Sequence, residues 1–282
     1  MEKLNPMEIG VMFWAGADPV ASLRQVKEFG VRCGQLGIPG DMPLEGAAGA
    51  WRAAAGAEGF TIVTVFAAYE GESYLDIPAI QRTVGFFPPE TRQIREARTL
   101  QVSDFAAALG VDSIACHVGC IPEDPNDPDR RAVRDIVRRV ADHAASHGQR
   151  FALETGQETA QALVDFIREV DRPNVRVNFD PANMLLYGTG DPLEAVDLLA
   201  PFIISVHCKD GDYPPAWIPG ALGPEYPLGH GVVGIERLLA KLAELGYQGT
   251  INVEREVDDE QQKREEIAAG VQLLRRLTDG LT

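Results

Sequence analysis

Cysteine is scarce in this chain: Cys33, Cys116, Cys120 and Cys208 are the only four in 282 residues, and none stand in C-x-x-C spacing. No disulfide framework is indicated, and free thiols point to a reducing, cytoplasmic setting. Positive charge is also short, with 26 Lys and Arg against 42 Asp and Glu and a net charge of −16. A nucleic-acid groove or an anionic membrane surface needs clustered Lys and Arg, so both are excluded as partners in favour of a small neutral or metal-coordinated substrate. No apolar run approaches the roughly 18 residues of a membrane-spanning helix. The N-terminus also lacks the basic stretch and apolar segment of a secretory signal.

What is present is an ordinary folding composition, 45% hydrophobic and 24% charged, arranged as strand-like and helix-like segments in alternation. The strand readings are Glu8–Ala15, Val31–Ile38, Phe60–Tyr69, Asp112–Gly119, Arg150–Thr155, Val175–Asp180, Phe202–Lys209 and Thr250–Glu256. Helical periodicity falls between them, as in Asp18–Phe29, Thr91–Leu109, Arg130–Ser146, Thr159–Val170 and Ile235–Leu245. Gly30, Gly110, Gly148 and Gly246 punctuate the helix ends. The second unit is the least regular, because 40–57 is rich in small residues and reads as a loose helix or partly as loop. Eight such repeats predict one α/β domain over 1–282, a closed (β/α)8 barrel, for which roughly 250 residues is typical. Two strand-to-helix connections, 70–90 and 210–234, are long and rich in Gly, Pro and aromatics. Phe86-Phe87-Pro88 and Trp217-Ile218-Pro219 are costly to leave in water, which predicts pocket walls or a lid on the catalytic face.

Four residues close otherwise apolar strands: Glu154 in Phe-Ala-Leu-Glu, Asp180 in Val-Asn-Phe-Asp, His207 in Ile-Ser-Val-His and Glu254 in Ile-Asn-Val-Glu. Each step along the chain is about one strand-plus-helix repeat, lengthened before Glu254 by the long seventh loop. Successive strands five to eight therefore deliver one residue each to the same end of a barrel. Any one of them has an ordinary explanation, such as an Arg partner, a turn cap or a core histidine. Four at one topological position are costly to bury unless something pairs with them, and a divalent metal is the simplest partner. Three carboxylates and an imidazole favour Mn²⁺, with Mg²⁺, Co²⁺ or Zn²⁺ as substitutes.

These residues carry a resemblance. The chain is similar to the xylose-isomerase-like TIM-barrel superfamily of sugar phosphate isomerases and epimerases, with ketose 3-epimerase, hydroxypyruvate isomerase and inosose dehydratase relatives. The carriers are Ala-Leu-Glu154-Thr-Gly, Val-Asn-Phe-Asp180-Pro-Ala-Asn183, Ser-Val-His207-Cys-Lys209-Asp210, Gly229-His-Gly231 and Ile-Asn-Val-Glu254. The resemblance implies a metal-dependent isomerase or epimerase acting on a keto-sugar or related polyol. Glu154 and Glu254 would be at once metal ligands and the acid/base pair, moving a proton through an enediolate. It equally accommodates a lyase that dehydrates a keto-inositol or keto-glycoside after the same first step. A non-catalytic sugar-binding barrel is the third reading, and an apurinic endonuclease is disfavoured by the acidic charge. Homo-oligomers are frequent in the superfamily, although this sequence identifies no interface.

Six further residues are candidates for substrate contact. His117, ending the fourth strand, suits a substrate hydroxyl or an acid role, against a locally bonded core histidine. Lys209 either touches substrate or begins a salt-bridged loop. Glu158 is either a pocket carboxylate or a helix-opening residue favoured by the dipole. Asn183 resembles a substrate-facing position, His230 lies between two glycines of the long loop, and Trp14 suits stacking on a sugar face or packing at the barrel mouth. Ketose 3-epimerases commonly carry a histidine where Asn183 stands and an arginine within the stretch here reading Lys-Asp-Gly-Asp-Tyr213. These departures leave the metal set intact while separating the chain from that specific activity. No phosphate-clamping cluster is visible, which favours a non-phosphorylated substrate.

Overall fold

The computed structural model describes residues 4–279. Its barrel strands are β1 (Ile9–Trp14), β2 (Cys33–Ile38), β3 (Thr61–Ala67), β4 (Ser113–Cys116), β5 (Arg150–Glu154), β6 (Val175–Phe179), β7 (Ile203–Cys208) and, last in the chain, β10 (Thr250–Val253). They are parallel and close in the order β1-β10-β7-β6-β5-β4-β3-β2, with β1 setting Ile9 opposite Ile251 and Val11 opposite Gly34. The expected (β/α)8 TIM barrel is therefore the fold. A two-residue antiparallel ladder, β8 (Asp210–Gly211) with β9 (Glu225–Tyr226), braces the seventh loop.

The surrounding helices are α1 (Pro19–Lys27), α2 (Ala47–Glu58), α3 (Ile77–Thr83), α4 (Arg92–Leu109), α5 (Pro128–Ser146), α6 (Ala160–Val170), α7 (Pro181–Leu186), α8 (Pro192–Leu199), α9 (Ile235–Glu244) and α10 (Glu260–Thr278). Several open on a side chain that accepts from first-turn amides: Asp18 from Val20 and Ala21, Asp127 from Asp129 and Arg130, Thr159 from Ala162. Helix α6 shows why they pack. It buries Leu163, Val164, Phe166, Ile167 and Val170 on one stripe. Each such side chain stabilises by about 1.5–3 kcal/mol on burial, which outweighs the few tenths that β-branched residues cost a helix. The loose second unit resolves into α2, ended by Gly59 in the left-handed region. Gly30, Gly110, Gly148 and Gly246 likewise adopt positive φ just past helices.

Two expectations are corrected. The fourth strand stops at Cys116 rather than Gly119, because the Val118 carbonyl accepts from Phe86 N (2.9 Å) in the third loop instead of continuing the sheet. That approach needs Gly85, whose φ is +68° and where a Cβ would lie 2.1 Å from the Val118 backbone. The same turn drives Phe86 into the core against Tyr69, with ring centroids 5.6 Å apart, so Phe86 is a core residue. Trp217 and Ile218, by contrast, stay in water at 82% and 51% exposure despite their apolar character. The two long loops do meet, through Ile77 N donating to the Gly220 carbonyl at 2.9 Å. No helix among the described residues is long and apolar enough to cross a membrane. The four cysteines are unpaired, three of them buried.

Candidate metal centre

Parallel strands carry their C-terminal residues to one end of a barrel, and here that end gathers Glu154, Asp180, His207 and Glu254. Glu154 closes β5 and His207 lies within β7, while Asp180 and Glu254 each stand one residue past their strands, β6 and β10. One ligand atom from each lies within 4.8 Å of all the others. Nδ1 of His207 sits 3.1 Å from Glu154 Oε1, 3.0 Å from Glu254 Oε2 and 3.9 Å from Asp180 Oδ2. Glu154, Asp180 and His207 are buried and Glu254 is nearly so.

The chemistry of this set fits a divalent cation. Asp180 divides its carboxylate: Oδ1 accepts from Asn183 N (3.0 Å) and caps α7, while Oδ2 is buried with no hydrogen-bond partner. Oε2 of Glu254 is also buried without a well-formed hydrogen bond. Three carboxylates against the single buried ammonium of Lys209 leave two negative charges to balance when the imidazole is neutral. An uncompensated buried charge costs several kcal/mol, so these two oxygens call for a cation. The titration behaviour agrees. Burial pushes the Asp180 carboxyl well above its usual range. For Glu254, burial is outweighed by the charges of His207 and Lys209, which hold the carboxyl below its ordinary value. Burial likewise opposes a charge on His207, but Glu254 and Glu154 overcome it and raise the imidazole well above its normal range. The carboxylates that favour a positive charge on His207 would equally favour a bound cation.

A polar layer beneath the four was not legible in the sequence. Gln35 Nε2 donates to Asn178 Oδ1 (3.0 Å), which leaves Gln35 Oε1 as acceptor for His207 Nε2–H at 3.1 Å. Ser205 Oγ also donates to Asn178 Oδ1, so the Asn178 amide nitrogen is turned inward, 3.3 Å from Glu154 Oε2, to which it donates, and 3.2 Å from His207 Nε2. The imidazole is thereby held with Nδ1 toward the carboxylates, the arrangement that metal-binding histidines require. A polar residue inside the fully buried run Cys-Gly-Gln-Leu-Gly-Ile was the available signal for Gln35.

Of the six further candidates, three stand beside the cluster and a fourth, Trp14, stands at the barrel rim. Lys209 is buried, pairs closely with Glu256, and has Nζ 3.5 Å from Glu254 Oε2, 3.8 Å from Asp180 Oδ2 and 3.3 Å from Asn183 Oδ1. Asn183 donates from Nδ2 to Glu154 Oε1 at 3.3 Å. Its close approach needs Gly156, at φ +146°, where a Cβ would lie 2.6 Å from that of Asn183. His117 lies just past β4 with Nε2 3.8 Å from Glu154 Oε1, while Nδ1 accepts from Gln157 Nε2 at 3.0 Å. Its ring meets Phe66 and Tyr74 at 5.6 and 5.5 Å. Trp14 is 43% exposed at the rim, packs over Gly37 and lines a cavity with Glu254 and Glu256. Two candidates stand apart. Glu158 is buried without a hydrogen-bond partner, and burial pushes its carboxyl up to about 8. His230 is exposed and lines an outer cavity with Arg237 and Arg276, so the structure does not bring it to the four. The neighbouring Asp210 also turns away, accepting from Gly211, Gly229 and Val233 amides to shape the seventh loop. Tyr74, Gln157 and Glu256 are rim residues that sequence reasoning did not single out.

Comparison with known proteins agrees with this architecture. The family model described as xylose isomerase-like TIM barrel matches residues 23–277. A crystal structure of a xylose isomerase domain protein from Planctomyces limnophilus is 40% identical, with 98% of this chain and 99% of that chain covered and a TM-score of 0.92. Two more distant structures share the fold. The 3-keto-D-glucoside 4-epimerase of E. coli is 21% identical, covering 95% and 99% of the two chains at a TM-score of 0.68. A xylose isomerase-like TIM-barrel protein from Mycobacterium smegmatis, solved in complex with magnesium, is 20% identical over 99% and 98% at 0.71. No curated protein sequence matches the chain.

Proposed function

The chain belongs to the xylose isomerase-like TIM-barrel family, and from that premise we propose that it is a divalent-metal-dependent isomerase or epimerase of a keto-sugar or related polyol. The observation that carries the reading is the buried convergence of Glu154, Asp180, His207 and Glu254, with two carboxylate oxygens lacking hydrogen-bond partners. Those four residues would hold the ion, most favourably Mn²⁺ with Mg²⁺, Co²⁺ or Zn²⁺ as substitutes. Bound there, it would supply the positive charge that acidifies a C–H beside a substrate carbonyl.

The protein's own groups do the rest. Glu154 and Glu254 reach the centre from β5 and β10, which suits one to take the proton and the other to return it. Lys209 and Asn183 offer donors to substrate oxygens beside the cluster. His117, with Nδ1 occupied by Gln157, directs its Nε2 toward the Glu154 side and can donate to a substrate hydroxyl. Trp14 offers an exposed apolar face at the rim. Glu158 enters this reading only as a buried acid, and His230 is omitted from it. Among the described residues no basic cluster surrounds the four, which favours a non-phosphorylated ligand.

His117 also favours a second reading, a dehydratase in which this imidazole protonates a departing hydroxyl after the same proton abstraction. The whole chain, 1–282, is read as one domain, although its first and last three residues lie outside those described. A cytoplasmic setting and a homo-oligomer complete the reading. Solvent deuterium exchange, followed by NMR on the metal-loaded protein with ketoses and keto-inositols, tests it. Metal-dependent uptake beside a carbonyl with an epimer or aldose product supports the isomerase, and an unsaturated product supports the dehydratase. A protein that binds metal yet exchanges no substrate proton would reduce it to a sugar-binding barrel.

A further inference from the structure

Three of the remaining chemistry-bearing side chains meet on the outside of the barrel, where α4 packs beside α5. His143 lies in the last turn of α5 and His147 caps its C-terminus, four residues on and hence over the same face. Their rings meet edge to face with centroids 5.0 Å apart. Both Nε2 atoms converge on one carboxylate oxygen of α4: Asp104 Oδ1 lies 2.7 Å from that of His143 and 2.9 Å from that of His147. Potential ligand atoms from all three residues lie within 4.8 Å of one another.

The backbone beneath them is fixed. Ser103 Oγ donates to Gln149 Oε1 at 2.6 Å, and Gln149 Nε2 donates back to the Ser103 carbonyl at 3.1 Å, with both residues buried. This clamp pins the chain one residue from Asp104 and two from His147. Ser146 Oγ further ties the helix end by donating to the His143 carbonyl at 2.6 Å. The ligands themselves remain accessible, with side-chain exposures of 31%, 34% and 58% for His143, His147 and Asp104. Arg139, one turn before His143 on α5, is engaged in a two-pronged pair with Glu96 at 2.6 and 2.8 Å, so its charge is already matched.

We propose that Asp104, His143 and His147 form a second, exterior binding site for a divalent transition-metal ion of the zinc class. Two imidazoles and one carboxylate select Zn²⁺, Co²⁺, Ni²⁺ or Cu²⁺ over Mg²⁺ and Mn²⁺, unlike the carboxylate-rich centre in the barrel. With metal–ligand bonds of about 2.0–2.2 Å, tetrahedral ligand atoms stand roughly 3.3 Å apart. Each imidazole nitrogen needs to part from Asp104 Oδ1 by about half an ångström, within the freedom of half-exposed side chains. Water completes the coordination on the solvent side, so the ion cross-links α4 to α5.

The chain's five histidines make the test direct. The full-length protein, labelled with ¹⁵N-histidine and kept in excess Mg²⁺, is titrated with Zn²⁺, and the imidazole resonances are assigned by single substitutions. His143 and His147 are expected to shift together while the exposed His230 stays in place. In equilibrium dialysis, the triple variant D104N/H143Q/H147Q should bind one zinc fewer per chain than wild type, and His207→Gln should keep that exterior zinc. Equal zinc stoichiometry in wild type and the triple variant would overturn the site. So would unmoved His143 and His147 resonances at a several-fold zinc excess, a result read on the unmutated protein.

Discussion

Nε2 of His207 lies 3.1 Å from Oε1 of Gln35, a contact across the barrel interior between residues 172 positions apart. Gln35 is fixed in turn by donating to Asn178. It therefore sets which ring nitrogen of His207 is free to face the carboxylates. Replacing Gln35 with Leu removes the acceptor while keeping the volume of a core residue. Such supporting partners typically contribute about 10–100-fold in metal affinity. Calorimetric titration of Mn²⁺ should show a loss of that order in Gln35→Leu, and an unchanged affinity would mean the contact does not orient the ring.

Glu254→Gln separates chemistry from binding. The amide keeps the shape and one potential oxygen ligand but cannot carry a proton. The turnover number is expected to fall by about 10²–10⁴, the usual contribution of a positioned acid or base, with ligand affinity changed far less. If turnover survives within a few-fold, Glu254 is not half of the acid/base pair.

Metal removal should reach stability as well as activity. Ligand at about 100 times its dissociation constant stabilises a native protein by about 2.7 kcal/mol, and each kcal/mol is worth roughly 2–4 °C in a large domain. Unfolding in EDTA should therefore begin several degrees earlier than in Mn²⁺. Asp180→Asn is the informative companion, because burial already pushes the Asp180 carboxyl well above its usual range. In EDTA this variant should match or exceed wild-type stability, and it should lose the response to Mn²⁺. Wild-type melting curves that coincide with and without metal would count against the centre.

Glu158 predicts a pH dependence with a definite sign. Its carboxyl is buried, unpartnered and raised from 4.5 to about 8. Below pH 4.5 the folded and unfolded chains both hold the proton and the residue has no pH-linked effect. Above that, the unfolded chain releases the proton while the folded one retains it up to about 8, so stability falls across this window and stays lower beyond it. Glu158→Gln should remove a loss on the order of a few kcal/mol. Urea unfolding would then show the variant gaining on wild type at pH 8.5 and little different at pH 4. A constant difference at both pH values would show that Glu158 ionises freely in the fold.

The alternation of apolar strands with amphipathic helices was enough to determine the barrel, because burial on both faces of a parallel strand and on one stripe of a helix leaves distinct spacings in the chain. It also placed Glu154, Asp180, His207 and Glu254 at one end, since every parallel strand must point its C-terminus the same way. Gln35, Asn178 and Ser205 were invisible as a group: they come from three strands, and only closure of the ring brings them together beneath His207. The fates of Phe86 and Trp217 were equally undecidable from apolar character, because a turn at Gly85 buries one and nothing comparable covers the other among the described residues. His230 and Asp210 show the same limit. Adjacency to His207 in sequence put Asp210 in view, and a place between two glycines of the long loop put His230 there, but the amides of Gly211, Gly229 and Val233 draw Asp210 into the loop, and the outward course of that loop leaves His230 in solvent. Local periodicity thus determined which residues are buried and at which end of the barrel they lie. Which polar atoms meet was decided by contacts between distant strands and loops, for which a linear sequence carries no spacing.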